Sequence, residues 1–105
     1  MQTITVEQLA ALQNDREKAV LLDVRDPWEV EICRLAGSVN IPMNEIEQRV
    51  NELEADARTI VICHFGMRSL QVGHYLESAG FKDIVNLEGG LDAWAERVDQ
   101  DMPRY

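Results

Sequence analysis

Short apolar runs alternate along the chain with stretches whose apolar residues recur at helical spacing. The apolar runs predict five strands, at residues 3–4, 19–24, 38–41, 59–63 and 83–87. The runs at 19–24 and 59–63 are almost continuously apolar, which is typical of strands covered on both faces by other elements.

The stretches between these runs predict helices. The first begins after Thr5, which forms a capping box with Gln8 three residues later. The others are predicted from Pro27 with Asp26 as its N-cap, and at residues 44–53, 69–79 and 91–98. Because strands alternate with helices, we expect an α/β fold with a parallel central sheet and helices on both faces.

The length of the chain fits a single domain. Its 105 residues are 46% hydrophobic and 28% charged, an ordinary balance for a globular protein. We expect one domain over residues 1–105, with its core at about 3–98 and a short polar tail at 99–105.

The net charge narrows the range of partners. Asp and Glu outnumber Lys and Arg by 19 to 10, which gives a charge of −9. An acidic domain repels nucleic-acid phosphates and anionic lipids, so neither is an expected partner. The first residues lack the pattern of a signal peptide, and no apolar run reaches membrane-spanning length, so we expect a cytoplasmic protein with two reduced cysteines.

Candidate chemistry lies where the most apolar strand ends. Cys63 is the last residue of the strand predicted at 59–63, and residues 64–68 separate it from a helix. Ligand sites of open parallel sheets form beyond the carboxyl ends of the strands. Gly66 allows a tight turn, and loop amides together with a helix N-terminus favour an anion such as a thiolate. The pattern predicts that Cys63 is a nucleophile.

The charge pattern around Cys63 agrees with an anion site. Residues 57–76 contain no Asp or Glu, although these make up 19 of the 105 residues. Arg58 and Arg68 lie in this stretch. Part of the gap follows from the buried strand and helix face, where any charge is disfavoured.

Four segments together resemble the signatures of one family. They are 21–29 (LLDVRDPWE), 37–42 (GSVNIP), 63–69 (CHFGMRS) and 80–94, which contains VNLEGG and Trp94. In order and spacing the chain resembles a stand-alone rhodanese-like domain, a single-domain sulfurtransferase. At two positions where that family usually has His and Pro, the chain has Arg34 and Ala36.

The resemblance implies a function and a site. Cys63 would take the sulfane sulfur of a donor, thiosulfate or a persulfide, as a persulfide, and pass it to cyanide or to a thiol, including a protein thiol. No cofactor and no metal are implied. The active-site loop would comprise the residues that follow Cys63, namely His64, Phe65, Gly66, Met67, Arg68 and Ser69.

Several roles stay open at this level. Arg68 either contacts the donor or braces the loop. We expect Asp23, Arg25 and Glu29 to be structural, with Arg25 paired to Glu29.

Several other side chains near the site also have an expected role. His64 is favoured as a rim residue over a proton donor, and Cys33 as a bystander over a resolving thiol. Trp28 and Trp94 are predicted to be packing anchors. Phe65 and Met67 would make the rim of the pocket partly apolar, and Tyr105 could dock the tail on the body.

Two other functions compete with sulfur transfer. A phosphatase or arsenate reductase would carry five residues between its Cys and Arg, but only four separate Cys63 from Arg68. A non-catalytic interaction module would be expected to lack the loop cysteine. The oligomeric state, monomer or weak dimer, is left open.

Overall fold

A computed structural model describes residues 1–12 and 19–105 of the protein. The strands of these ranges form one parallel sheet in the order β1-β5-β4-β2-β3. They are β1 (Gln2–Ile4), β2 (Ala19–Asp23), β3 (Val39–Asn40), β4 (Arg58–Ile62) and β5 (Asp83–Leu87). The predicted parallel α/β fold is confirmed.

The helices follow the predicted order. They are α1 (Val6–Ala11), α2 (Pro27–Ile32), α3 (Ile46–Arg49), α4 (Met67–Ser78) and α5 (Gly90–Arg97). The capping box of α1 is formed: the Gln8 amide donates to Thr5 Oγ1 at 3.1 Å, and the Thr5 amide donates to Gln8 Oε1 at 2.9 Å. No helix of the described ranges is both long and apolar enough to cross a membrane.

The single helix predicted over residues 44–53 is wrong. Here α3 is only one turn long, and 3₁₀ turns flank it at Met43–Glu45 and Val50–Glu52. The flanking turns are closed by i→i+3 bonds, from Glu45 N to Pro42 O and from Leu53 N to Val50 O. The 3₁₀ turns wind more tightly than an α-helix. Even so, Val50 and Leu53 pack on the core beside Ile46.

The core consists of two apolar clusters on opposite faces of the sheet. Ile60 and Ile62 of β4 belong to the cluster under α1 and α5, whereas Val61 belongs to the cluster under α3 and α4. This alternation follows from the two-residue period of a strand. The expectation of helices on both faces is therefore confirmed.

The sheet places the site at its carboxyl edge, where all parallel strands end together. β4 lies between β5 and β2, so the residues after it have neighbours from both sides. The strand ends at Ile62, one residue earlier than predicted, and Cys63 is the first residue beyond it. α4 begins at Met67, two residues earlier than predicted, which shortens the loop after Cys63.

Candidate active site

Cys63 lies inside the loop that joins β4 to α4. Only 1% of its surface is exposed. The amide of Gly66 donates to Sγ at 3.0 Å, and the thiol lies 3.3 Å from the hydroxyl of Ser69. The sulfur is therefore held between a loop amide and the first turn of α4, where negative charge is stabilised.

Asn86 fixes this loop from the neighbouring strand β5. Its Oδ1 accepts a hydrogen bond from the Ser69 hydroxyl, and its Nδ2 donates to the carbonyl of Gly66 at 3.3 Å. Asn86 was not among the residues selected from the sequence. The available signal was its polar side chain within the otherwise apolar run of β5, since a buried amide needs partners.

The first turn of α5 is bonded to the loop that carries Cys63. The amide of Leu91 donates to the Cys63 carbonyl and the amide of Asp92 to the His64 carbonyl, each at 2.9 Å. A Cβ at Gly90, which has a φ of +61°, would overlap both carbonyl groups. Gly90 is therefore required by close approach as well as by backbone conformation.

Arg68 braces the loop against α2. Its two terminal nitrogens donate to the two carboxylate oxygens of Glu29 at 2.7 and 2.8 Å. The hydrogen bonds from Arg68 lower the pKa of Glu29 to about 2, although burial opposes the shift. Of the two roles considered for Arg68, the geometry favours bracing.

Arg25 does not pair with the carboxylate of Glu29, so that expectation is wrong. Its guanidinium holds the carboxylate of Asp23, with its shortest contact at 2.7 Å. It also donates to the main-chain carbonyls of Cys33 and Glu29, at 2.7 and 3.3 Å. Because Arg25 is fully buried beside Asp23, that nearer carboxylate satisfies its charge and leaves Glu29 to Arg68.

Tyr105 joins the tail to this network. Its hydroxyl accepts a hydrogen bond from Arg25 and donates one to Glu29, both at 2.9 Å. Burial raises the pKa of Tyr105 to about 12, with the bond to Glu29 adding to it and Arg25 opposing. The phenol therefore stays protonated and able to donate near neutral pH.

A row of aromatic rings runs from α2 to the loop. Trp28 packs edge-on against Tyr105 at 5.6 Å between centroids, Tyr105 lies 4.2 Å from His64, and His64 lies 4.1 Å from Phe65. Trp28 is 57% exposed, so its prediction as a packing anchor is wrong. Trp94 is buried in the cluster under α5, as an anchor should be. Trp28 and Tyr105 are far apart in the sequence, so local patterns could not predict their contact at the surface.

His64 is half-buried at the rim, within this row. Burial lowers the pKa of His64, so the imidazole is largely neutral at pH 7. Its Nδ1 is enclosed and has no hydrogen-bond partner within the described part of the chain. This position agrees with the rim role favoured from the sequence.

The remaining candidates lie at the edge of the site or away from it. Phe65 and Met67 are 62% and 67% exposed, so the loop presents apolar surface to solvent. Cys33 is buried, with its Sγ 3.8 Å from a guanidinium nitrogen of Arg25. Arg34 is exposed. Within residues 1–12 and 19–105 there is no cluster of three His, Cys, Asp or Glu that could hold a metal ion.

The fold and the site together define a class: parallel α/β proteins with a cysteine enclosed by the loop after a central strand. Residues 5–97 match the sequence model of the rhodanese-like domain. The chain belongs to the rhodanese-like domain family, which confirms the resemblance drawn from its motifs.

Individual relatives agree in sequence and in structure. The chain is 36% identical to a chloroplastic rhodanese-like/PpiC domain-containing protein of Arabidopsis thaliana and 35% identical to a probable adenylyltransferase/sulfurtransferase, MoeZ, of Mycobacterium tuberculosis. The alignments cover 97% and 98% of this chain but only 36% and 27% of those proteins. A rhodanese-like domain protein of Staphylococcus aureus superposes with a TM-score of 0.84 at 32% identity, covering 90% of this chain and 91% of that one.

Proposed function

We propose that the protein is a sulfurtransferase that carries a sulfane sulfur on Cys63 as a persulfide. The donor is thiosulfate or a persulfide, and the acceptor is cyanide or a thiol, including a protein thiol. The observation that carries the proposal is the enclosure of the Cys63 sulfur, with the Gly66 amide at 3.0 Å and the N-terminus of α4 beside it.

In the first step the Cys63 thiolate attacks the outer sulfur of the donor. A new S–S bond forms on Cys63 while the S–S bond of the donor breaks. Sulfite leaves thiosulfate with the bonding electron pair; from an organic persulfide, a thiolate leaves instead. This is nucleophilic catalysis with a covalent intermediate.

In the second step the acceptor attacks the outer sulfur of the Cys63 persulfide. The bond between the two sulfurs breaks, and Cys63 leaves as a thiolate with the electron pair. The product is an organic persulfide from a thiol, or thiocyanate from cyanide. A thiolate and a persulfide anion both carry negative charge on sulfur, so the same loop amide and helix N-terminus stabilise each of them.

The relatives support sulfur transfer in general rather than one donor. The MoeZ protein is named a probable sulfurtransferase, and this chain spans only about a quarter of it. Its adenylyltransferase activity and its partners are therefore not extended to this chain.

Intact mass spectrometry tests the proposal directly. After treatment with thiosulfate or with an organic persulfide, we expect a gain of one sulfur atom, which cyanide then removes. Cys63→Ser should abolish this gain, whereas Cys33→Ser should keep it. Sulfur retained by Cys63→Ser and lost by Cys33→Ser would assign the nucleophile to Cys33 and contradict the proposal. The absence of any gain in the wild type would favour a non-catalytic module.

A further inference from the structure

We infer that the site is built for sulfane donors that carry one negative charge or none and an apolar substituent, and not for the dianion thiosulfate. The inference rests on the proposed sulfurtransferase function and narrows its donor class. Organic persulfides and aryl thiosulfonates are donors of this kind.

The cation nearest to the loop in sequence is already neutralised. Both terminal nitrogens of Arg68 are held by Glu29, and Glu29 also accepts hydrogen bonds from Tyr105 and from the Asp26 amide. With the pKa of Glu29 at about 2, the carboxylate stays charged at any pH near neutrality. Arg68 keeps other N–H donors, but its charge is already balanced by a buried carboxylate, so a dianion bound beside it gains little coulombic energy.

The other charged groups near Cys63 do not replace Arg68. Arg25 is fully buried, and its guanidinium donates to the carboxylate of Asp23 and to main-chain carbonyls. His64 is largely neutral because burial lowers its pKa. Arg104 pairs with Asp92 at 2.8 Å.

Other cations of the described ranges lie elsewhere in the fold. Arg58 begins β4 and Lys82 precedes β5, so both lie at the opposite edge of the parallel sheet from Cys63. Arg49 and Arg97 are paired with carboxylates, Arg49 with Glu45 and Glu52 and Arg97 with Glu7. Arg34 is exposed after α2.

The exposed side chains of the loop suit an apolar donor. Phe65 and Met67 flank Gly66, and each is about two-thirds exposed. Apolar surface and polarisable sulfur favour an aryl or alkyl group and offer nothing to a sulfonate. The loop amide and the helix N-terminus then stabilise the single negative charge on the transferred sulfur.

Thiosulfate and benzenethiosulfonate are the probes for a test. In both donors the sulfane sulfur is bonded to an oxidised sulfur, and they differ by one charge and one aryl group. The Cys63 thiolate takes that sulfur and benzenesulfinate leaves with the electron pair, just as sulfite leaves thiosulfate. Each kcat/KM is divided by the rate of the same donor with a small free thiol, which removes the intrinsic reactivity of the donor.

For the wild type we expect the normalised kcat/KM to be at least about tenfold higher for benzenethiosulfonate, equivalent to about 1.4 kcal/mol. Thiosulfate should show no saturation in the millimolar range and little salt dependence. A normalised preference for thiosulfate, with a KM that rises steeply with salt, would overturn the inference. So would a tenfold loss of thiosulfate use in Arg34→Gln.

Two variants of Met67 separate the effect of a positive charge from the effect of a polar side chain. Met67→Lys should use thiosulfate about tenfold better than Met67→Gln, with a strong salt dependence that Met67→Gln lacks. Both should lose benzenethiosulfonate use relative to the wild type. Ser78→Lys adds the same charge at the far end of the 12-residue helix α4, beyond the screening length, and controls for net charge.

The outcomes separate the two proposals. Equal thiosulfate use by Met67→Lys and Met67→Gln would overturn the inference about donor charge while leaving sulfur transfer intact. Failure of both donors to load sulfur on Cys63, read by intact mass, would overturn the sulfurtransferase proposal itself.

Discussion

Gly90 is the residue at which the start of α5 meets the Cys63 loop. Its φ of +61° and the nearby carbonyls of Cys63 and His64 leave no room for a side chain. We expect Gly90→Ala to lower the free energy of unfolding by about 3 kcal/mol, from backbone strain and forced displacement of the loop together.

Gly80 supplies the control for this substitution. It has a φ of +98°, but no atom lies within 4 Å of a Cβ built there. Gly80→Ala should therefore cost only the left-handed strain, about 1 kcal/mol. Urea denaturation measures both variants, and equal losses would contradict the steric argument at Gly90.

Among single residues, the sequence predicted the proposed nucleophile but not the residues that hold it in place. Cys63 could be predicted because a strand end, a glycine turn and a helix start are all local in sequence. Asn86 and Tyr105 reach the loop only through the sheet order and the course of the tail, which local patterns do not encode. The partners of Arg25 and Arg68 were uncertain for the same reason, since two arginines and the carboxylates of Asp23 and Glu29 could pair in more than one way.

Among the elements, the pair between Glu29 and Arg68 ties α2 to α4. Folding lowers the pKa of Glu29 from 4.5 to about 2, mainly through Arg68 and with hydrogen bonds from the Asp26 amide and Tyr105, so these contacts together stabilise the folded state fully above pH 4.5. That contribution is lost as the pH falls towards 2. The shift corresponds to about 3 kcal/mol.

We therefore expect Glu29→Gln to be less stable than the wild type by about 3 kcal/mol at pH 7. The difference should shrink steadily between pH 5 and pH 2, as followed by urea denaturation at each pH. Glu52→Gln, which removes a carboxylate from an exposed pair with Arg49, is the matched control and should change stability far less. A pH-independent effect of Glu29→Gln would show that the loss comes from packing instead of charge.

Element types were predictable because the apolar runs and the helical spacing are strong local signals. The segment 44–53 failed because Ile46, Val50 and Leu53 satisfy a helical pattern whether the turns between them are α or 3₁₀. Hydrogen-bond register, and not the burial of these side chains, separates the two, and the sequence carries little information on it.

Across the whole molecule, the two apolar clusters share the central strands. Leu9 is fully buried in the cluster under α1 and α5, and Leu76 is fully buried in the cluster under α4. Because β4 contributes to both, we expect Leu9→Ala and Leu76→Ala each to lower stability by about 3 kcal/mol, with a single unfolding transition.

Two probes check this cooperativity. Tryptophan fluorescence includes Trp94, which is buried in the cluster of Leu9, and far-UV circular dichroism follows all elements. In Leu76→Ala the two transitions should coincide, although the substitution lies on the face opposite to Trp94. Separate midpoints would indicate that the faces unfold independently.

The order of the strands also has a consequence for biosynthesis. β1 is made first, yet it pairs only with β5, through Gln2 opposite Val85 and Ile4 opposite Leu87. Until residues 83–87 have left the ribosome, β1 has no neighbour in the sheet and β4 lacks one of its two. Contacts so distant in sequence form late, so β1 stays without its partner strand until β5 has been made. The Cys63 loop, whose carbonyls accept hydrogen bonds from Leu91 and Asp92, becomes ordered only after those residues have been made.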